Sequence, residues 1–286
     1  MLWSIVSNAL LLAQVHEPEA SSVAQEVTPG EVLTMLVISA VLTPAALWLL
    51  HRINTPEQWN VAKAPMRPNS IGVAHIVALF VGWQLAGAII AIASASLGET
   101  PSLMFANLAG QILVFTAAVW LAHKAFARGA QSGMGLDISN AKGDITRGFL
   151  MFFAVIGPVI LILTITRWIL PDLPEHEMLT QIRIQPVVWK VVIAFSAIIG
   201  APLAEEVLFR GLLQSCLRKY MDVWPAILVS SVIFAVIHFS VPDSVLPLIL
   251  LSLGLGWLYE STGRLVAPIL LHALFNTMSI LAALQS

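Results

Sequence analysis

The sequence predicts an all-α fold, a polytopic transmembrane bundle of about eight helices. Of its 286 residues, 58% are hydrophobic and only 10% are charged, whereas soluble domains carry about 25% charged residues. Apolar stretches recur from near residue 31 to the C-terminus without a soluble-looking block between them. We therefore expect an integral, multi-pass membrane protein, located in the plasma membrane if its source is bacterial, with the lipid bilayer as its surroundings.

Eight apolar segments approach the length of about 20 residues that a helix needs to cross a bilayer. Two of them, 223–239 and 245–259, are short, which indicates a steep crossing, a broken helix or a place inside the bundle. The eight segments cover residues 32–50, 71–97, 102–122, 147–170, 187–209, 223–239, 245–259 and 265–284.

Charge and cysteine content exclude two classes of function. The net charge is only -2, and the basic residues stand singly instead of forming a stripe that could neutralise successive phosphates. Cys216 is the single cysteine, so an intrachain disulfide, a CxxC redox pair and a thiolate zinc cage are all excluded. Nucleic acid is not an expected partner, and any catalysis must use oxygen and nitrogen groups.

Adjacent carboxylates interrupt the apolar pattern in the last third of the chain. Glu205 and Glu206 lie within the run AFSAIIGAPLAEEVLFRGLL, where an ionised carboxylate costs roughly 2.5 to 3.5 kcal/mol on insertion scales. Arg210 follows Glu206 by four residues, which places both on one helical face in the favourable order. We expect Arg210 to neutralise Glu206. Glu205 lies about 100° around the helix and is therefore left as a carboxylate that suits a general base.

Two histidines also fall within apolar runs, whereas the other five lie in or near loops. His238 comes four residues after Phe234, and His272 comes four residues before Asn276, so each pair shares a helical face. The amide of Asn276 can donate a hydrogen bond to a developing oxyanion.

These residues form three ordered motifs within about 70 residues: EExxxR from Glu205 to Arg210, FxxxH from Phe234 to His238, and HxxxN from His272 to Asn276. Together they resemble the CPBP family, the CAAX proteases and bacteriocin-processing proteins, also called the ABI family. Members of that family are intramembrane endopeptidases built as multi-helix bundles. The resemblance covers roughly residues 187–284.

The resemblance implies a role for each motif residue. Glu205, the first glutamate of the pair, is expected to be the general base, aided by His238, and His272 and Asn276 are expected to hold the oxyanion. The supporting residues would be Glu206, Arg210 and Phe234, the last mainly through packing and secondarily by shaping a substrate groove.

The expected substrate is a membrane-associated peptide or protein, because an extended or lipid-anchored chain can enter a site between helices. A prenylated CAAX protein is expected only if the source is eukaryotic. Three parts of the chain follow: an N-terminal apolar stretch and acidic linker at 1–31, a variable set of transmembrane helices at 32–170, and a CPBP-like catalytic helix core at 187–284.

Three other interpretations fit some of these residues. A lone buried histidine or a Glu-Arg pair often forms a structural hydrogen-bonded knot between helices. Intramembrane ionisable clusters also serve ion- or proton-coupled transport, although discontinuous helices at matching positions of a repeat are not visible in the sequence. A non-catalytic membrane scaffold or immunity protein with the same fold is the third alternative.

The metal requirement stays open between two chemistries. Glu205, His238 and His272 could bind zinc as a His₂Glu set, but the HExxH motif that places two ligands and the base on one helix is absent. We expect a water activated by glutamate, with no obligatory cofactor, because Asn276 would serve an oxyanion better than it would serve zinc.

Overall fold

A computed structural model describes residues 27–170, 182–238 and 242–285. The predicted N-terminal apolar stretch, and the acidic linker up to residue 26, lie outside this range. The described residues are mostly helical, and no β-strand occurs among them. Eight apolar helices follow one another: α1 (Pro29–Ile53), α2 (Val73–Ala93), α3 (Glu99–Ala125), α4 (Ala141–Ile169), α5 (Val187–Leu217), α6 (Val223–Val236), α7 (Val245–Thr262) and α8 (Val266–Gln285).

Seven of these helices are long and apolar enough to cross a membrane, which confirms the predicted polytopic bundle. The exception is α6, whose 14 residues rise about 21 Å, less than the roughly 30 Å of a hydrocarbon core. This helix ends at Val236, three residues before the predicted boundary. Because α6 is short, its C-terminal end, and His238 just beyond it, lie at a depth inside the hydrocarbon core.

The second short segment lies inside the bundle, which is one of the three alternatives that its length had suggested. In α7, 67% of the spanning window is buried, compared with 11% in α1 and 6% in α2. Helix α7 packs against α4, α5, α6 and α8. The apolar outer surfaces of α1 and α2 therefore face lipid, whereas α7 is surrounded by protein.

The two largest apolar cores among the described residues hold most of the bundle together. The first lies among α2, α3 and α5, with Phe234 and Tyr259 reaching into it from α6 and α7. The second lies among α1, α4, α7 and α8. Helices α5, α7 and α8 thus meet at the boundary between the cores, where the motif residues are found.

Helix α5 is not regular. It contains two π-helical stretches, Ser196–Gly200 and Val207–Gln214, on either side of the α-helical turn Ala201–Glu206. Such stretches widen a helix and shift the residues that follow them around its axis. The two glutamates lie in the intervening turn, and Arg210 lies in the second stretch.

An ion pair fixes the turn between α7 and α8, next to the N-terminal end of α8. Arg264 donates two hydrogen bonds to the buried carboxylate of Asp144 on α4, at 2.5 and 2.8 Å. These hydrogen bonds raise the pKa of Arg264 above its ordinary value. The contact anchors the start of α8, the helix that carries His272 and Asn276.

Candidate active site

The predicted pair of Glu206 and Arg210 is confirmed as a contact and is completely buried. Arg210 Nη1 donates to Glu206 Oε1 at 3.1 Å, and neither side chain has exposed surface. Arg210 Nη2 also donates to Ser252 Oγ on α7 at 2.6 Å. Because a buried charge needs both a counter-charge and hydrogen bonds, Ser252 adds to the stabilisation of the guanidinium.

His272 contacts the same carboxylate from α8. Its Nδ1 lies 3.0 Å from Glu206 Oε1, and only 5% of its side chain is exposed. Glu206 Oε1 therefore contacts both Arg210 and His272, which ties α8 to α5 in the interior of the bundle. This second contact had not been predicted, because His272 was assigned to the oxyanion.

Glu205 points away from that pair, as its position on the helix suggested. Its Oε2 atom lies 4.0 Å from His238 Nε2 and 3.9 Å from His272 Nε2. The side chains of Glu205 and His238 are 12% and 30% exposed. Both histidines thus present the same ring nitrogen to one oxygen of an accessible carboxylate, at distances slightly too long for direct hydrogen bonds.

The second ring nitrogen of His238 determines its tautomer. His238 Nδ1 lies 2.7 Å from the carbonyl oxygen of Phe234, and a carbonyl oxygen can only accept a hydrogen bond. Nδ1 must therefore carry a proton, so the neutral ring has its lone pair on Nε2. A carboxylate oxygen and a bare nitrogen about 4 Å apart can each accept a hydrogen bond from one water molecule placed between them.

Phe234 lies beneath this group of polar side chains. It is 1% exposed, its ring contacts the rings of His238 and His272 at 4.8 and 5.7 Å, and the Arg210 guanidinium lies over it at 4.8 Å. The contacts agree with the packing role expected for Phe234. They also let the aromatic face stabilise the buried cation.

Asn276 is held by α5. Its Nδ2 donates to the carbonyl of Ala197 at 2.7 Å, in the first π-helical stretch. An amide nitrogen carries two hydrogens, so this hydrogen bond fixes the orientation of the side chain and leaves the second N–H as a donor. The carbonyl of Ala197 could not have been identified from side-chain patterns.

The motif residues supply part of a metal-binding donor set. Two histidine nitrogens and one carboxylate are ligands that zinc uses in catalytic sites, but the described part of the chain contains no group of three His, Cys, Asp or Glu side chains arranged to hold a metal ion. We therefore derive no step through a metal. The predicted absence of an obligatory cofactor stays a prediction.

Comparisons with known proteins agree with the motif resemblance. Residues 187–278 match the family model described as "Type II CAAX prenyl endopeptidase Rce1-like", and this range contains every motif residue. A curated protein of Bacillus subtilis (strain 168), named "Putative membrane peptidase YdiL", is 30% identical over 95 residues. That match spans 33% of this chain and 38% of the relative.

No solved structure gave a significant match to the chain. The seven long apolar helices and the family match identify an integral multi-pass membrane protein. They also associate its C-terminal part with membrane-bound endopeptidases. The match over residues 187–278 is consistent with the CPBP family and confirms, for this part of the chain, the resemblance carried by the three motifs.

Proposed function

We propose that this protein is an intramembrane endopeptidase that hydrolyses a peptide bond of a membrane-associated substrate with a water activated by Glu205 and His238. The observation that carries the proposal is the pair of acceptor atoms, Glu205 Oε2 and His238 Nε2, 4.0 Å apart at the exposed edge of a buried charge cluster. The family of endopeptidases matched by residues 187–278 supports it.

The reaction follows from the hydrogen-bonding capacity of these atoms. A water that donates to both acceptors becomes more nucleophilic, and Glu205 takes its proton as the oxygen attacks the peptide carbonyl carbon. The attack forms one C–O bond and moves negative charge to the carbonyl oxygen. Breaking the C–N bond then requires a proton on the leaving nitrogen, which Glu205 returns.

Asn276 and His272 are the proposed donors to the oxyanion. Asn276 can use the N–H that Ala197 does not engage. His272 can donate from Nε2 when both of its ring nitrogens carry protons, with Nδ1–H directed to Glu206 Oε1. Glu206 and Arg210 serve as the support of His272.

The test compares purified Glu205→Gln and His238→Ala with wild type. Membrane proteomes of cells that contain active enzyme or the Glu205→Gln variant would first be compared, and we expect one membrane-associated precursor to accumulate with the variant. Cleavage of that precursor by purified protein is then measured, with a farnesylated CAAX peptide as a second probe. Both variants should lose cleavage while their thermal unfolding stays close to that of wild type.

Glu57→Gln is the matched control, because it makes the same chemical change at an exposed position of the short helix Pro56–Trp59 and should cleave normally. Cleavage by both site variants at the wild-type rate would contradict the proposal. Ion flux in proteoliposomes without cleavage would indicate the transporter, and neither activity would indicate the scaffold. Cleavage of a soluble folded protein far from any membrane segment would contradict the proposed substrate class.

A further inference from the structure

The hydrogen bond between Asn276 and Ala197 depends on a gap in the backbone pairing of α5. In the first π-helical stretch, the N–H of Ala201 donates to the carbonyl of Ser196, five residues earlier. With the same five-residue spacing, the carbonyl of Ala197 would accept from the N–H of residue 202. Residue 202 is Pro202, which has no N–H. The carbonyl of Ala197 is therefore left without its backbone donor.

An unpaired carbonyl in a membrane-buried helix is costly, because lipid offers no hydrogen bonds. Asn276 Nδ2 supplies the missing donor at 2.7 Å. A carbonyl oxygen accepts only from the nitrogen end of the amide, so this contact also decides which end of the Asn276 side chain faces α5. The orientation of Asn276 thus depends on the proline.

The same arrangement occurs a second time in the bundle. Pro158 lies inside α4 and cannot donate to Ala154, four residues earlier. Thr43 on α1 donates its hydroxyl hydrogen to the Ala154 carbonyl at 2.9 Å. This second pair joins α1 to α4, outside the group of motif residues, and serves as an internal control.

We infer that Pro202 is a positioning residue, which withholds a backbone N–H from Ala197 so that the carbonyl orients Asn276 for the oxyanion. This inference rests on the proposed function for its catalytic consequence. It predicts that restoring the N–H at position 202 releases Asn276.

The first test needs no substrate. Pro202→Ala, Asn276→Ala and the double variant are purified, and their thermal unfolding midpoints are compared. In the wild-type background, Asn276→Ala leaves the Ala197 carbonyl unpaired and should lower the midpoint by roughly 3 to 6 °C. In the Pro202→Ala background, a backbone N–H can pair with that carbonyl, so the same change should cost less than half as much.

Pro158→Ala and Thr43→Val form the matched cycle and should show the same coupling. The crossed combination of Pro158→Ala with Asn276→Ala should be additive, because distant sites without shared partners act independently. An equal cost of Asn276→Ala in the wild-type and Pro202→Ala backgrounds would overturn the inference. A structure of Pro202→Ala in which Asn276 Nδ2 still lies 2.7 Å from Ala197, as in wild type, would overturn it as well.

The second test measures cleavage of the precursor that accumulates with Glu205→Gln. Pro202→Ala should lower kcat roughly tenfold to a hundredfold with little change in KM, because a misplaced group loses its effect in the transition state. In the Asn276→Ala background, Pro202→Ala should have no further effect on kcat. Pro158→Ala should cleave like wild type.

The two tests separate the inference from the proposed function. If Asn276→Ala loses cleavage but Pro202→Ala retains it fully, the positioning role is wrong and the endopeptidase proposal stands. If the unfolding midpoints couple but Asn276→Ala cleaves normally, Asn276 does not serve the oxyanion and the catalytic consequence is wrong. If no precursor accumulates and no variant differs in cleavage, the proposed function fails. The unfolding midpoints alone then decide whether Pro202 sets the hydrogen bond between Asn276 and the Ala197 carbonyl.

Discussion

Two clusters of buried charge lie along the same pair of helices, α5 and α7, and they differ in how completely their charges are paired. The site cluster consists of Glu205, Glu206, Arg210, His238 and His272. The loop cluster consists of Arg67, Gln214, Arg218 and Glu260. The clusters are consecutive, because their residues recur at every fourth position: Glu206, Arg210 and Gln214 on α5 with Arg218 just after its end, and Ser252, Gly256 and Glu260 on α7, where Gly256 contributes its backbone carbonyl.

In the loop cluster, both oxygens of Glu260 have close partners. Gln214 Nε2 donates to Oε1 at 2.9 Å, and Arg67 Nη1 donates to Oε2 at 3.3 Å. Arg218 lies 3.9 Å from the same carboxylate, whose side chain has no exposed surface. Arg67 also donates to the carbonyl of Tyr259 at 3.0 Å and lies over its ring at 4.0 Å.

In the site cluster, by contrast, Glu205 is partly exposed, and two histidine nitrogens lie near 4 Å from it. A fully paired carboxylate is held in place and has little capacity left for a substrate. His238 Nε2 is an acceptor like the carboxylate, so a donor such as water is needed between these two atoms. If the proposed function is right, the reactive carboxylate is marked by incomplete pairing at an accessible edge and not by burial of charge alone.

The largest effect on stability is expected from Arg210→Ala. Removing the guanidinium leaves Glu206 buried beside a histidine without its cation, which should cost about 3 to 5 kcal/mol of unfolding free energy. Thermal or denaturant unfolding of the purified protein measures this loss. Arg128→Ala is the control, because it removes an arginine from an exposed position and should have a small effect.

If Arg210→Ala proved as stable as wild type yet inactive, the distinction between the clusters would fail at this residue. Arg210 would then belong to the chemistry of the site and not to its support.

Glu260→Gln should separate stability from catalysis. The substitution keeps the size of the side chain but removes the negative charge between Arg67 and Arg218, so a loss of about 2 kcal/mol is expected. The kcat for the accumulated precursor, corrected for the folded fraction, should equal that of wild type. A selective loss of kcat without a loss of stability would show that the loop cluster acts on the reaction.

The parts of the site that the sequence could predict are those set by helix periodicity. The spacing of Glu206 and Arg210 predicted their contact. The same geometry predicted that the Glu205 side chain leaves the helix on a different face. Hydropathy predicted the spans, because each apolar run can be recognised from its own sequence without knowledge of the segments that it contacts. The inside position of α7 was one of three alternatives suggested by its length alone.

The parts that were missed depend on contacts between distant segments. Arg67 and Glu260 are 193 residues apart, and nothing in either local sequence indicates the partner. Ser252 is an ordinary small polar residue in an apolar helix, and Ala197 contributes a backbone atom that no pattern of side chains can display. Only the four-residue spacing of Ser252, Gly256 and Glu260, facing the spacing on α5, could have indicated this contact.

Ser252→Ala is expected to have a smaller effect than either charge substitution. The change removes the hydroxyl that accepts from Arg210 Nη2 at 2.6 Å, but the Ser252 backbone carbonyl, at 3.4 Å from the same atom, is unaffected. A loss of roughly 1 to 2 kcal/mol follows for a hydrogen bond to a charged group. Unfolding of Ser252→Ala, compared with Ser252→Thr, measures it, and an unchanged stability would mean that the carbonyl suffices.

Phe234→Leu should have the smallest effect of the series. Leucine keeps most of the apolar volume but removes the aromatic face under Arg210 and the ring contacts with both histidines. We expect a loss of about 1 kcal/mol from repacking and from the cation–π contact, with cleavage retained. Phe209→Leu is the control, since among the described residues Phe209 has a ring contact with Phe234 but with neither histidine. If the Phe234 variant lost cleavage at wild-type stability while the Phe209 variant cleaved normally, Phe234 would contact the substrate. The reactive region would then include this ring as well as Glu205 and His238.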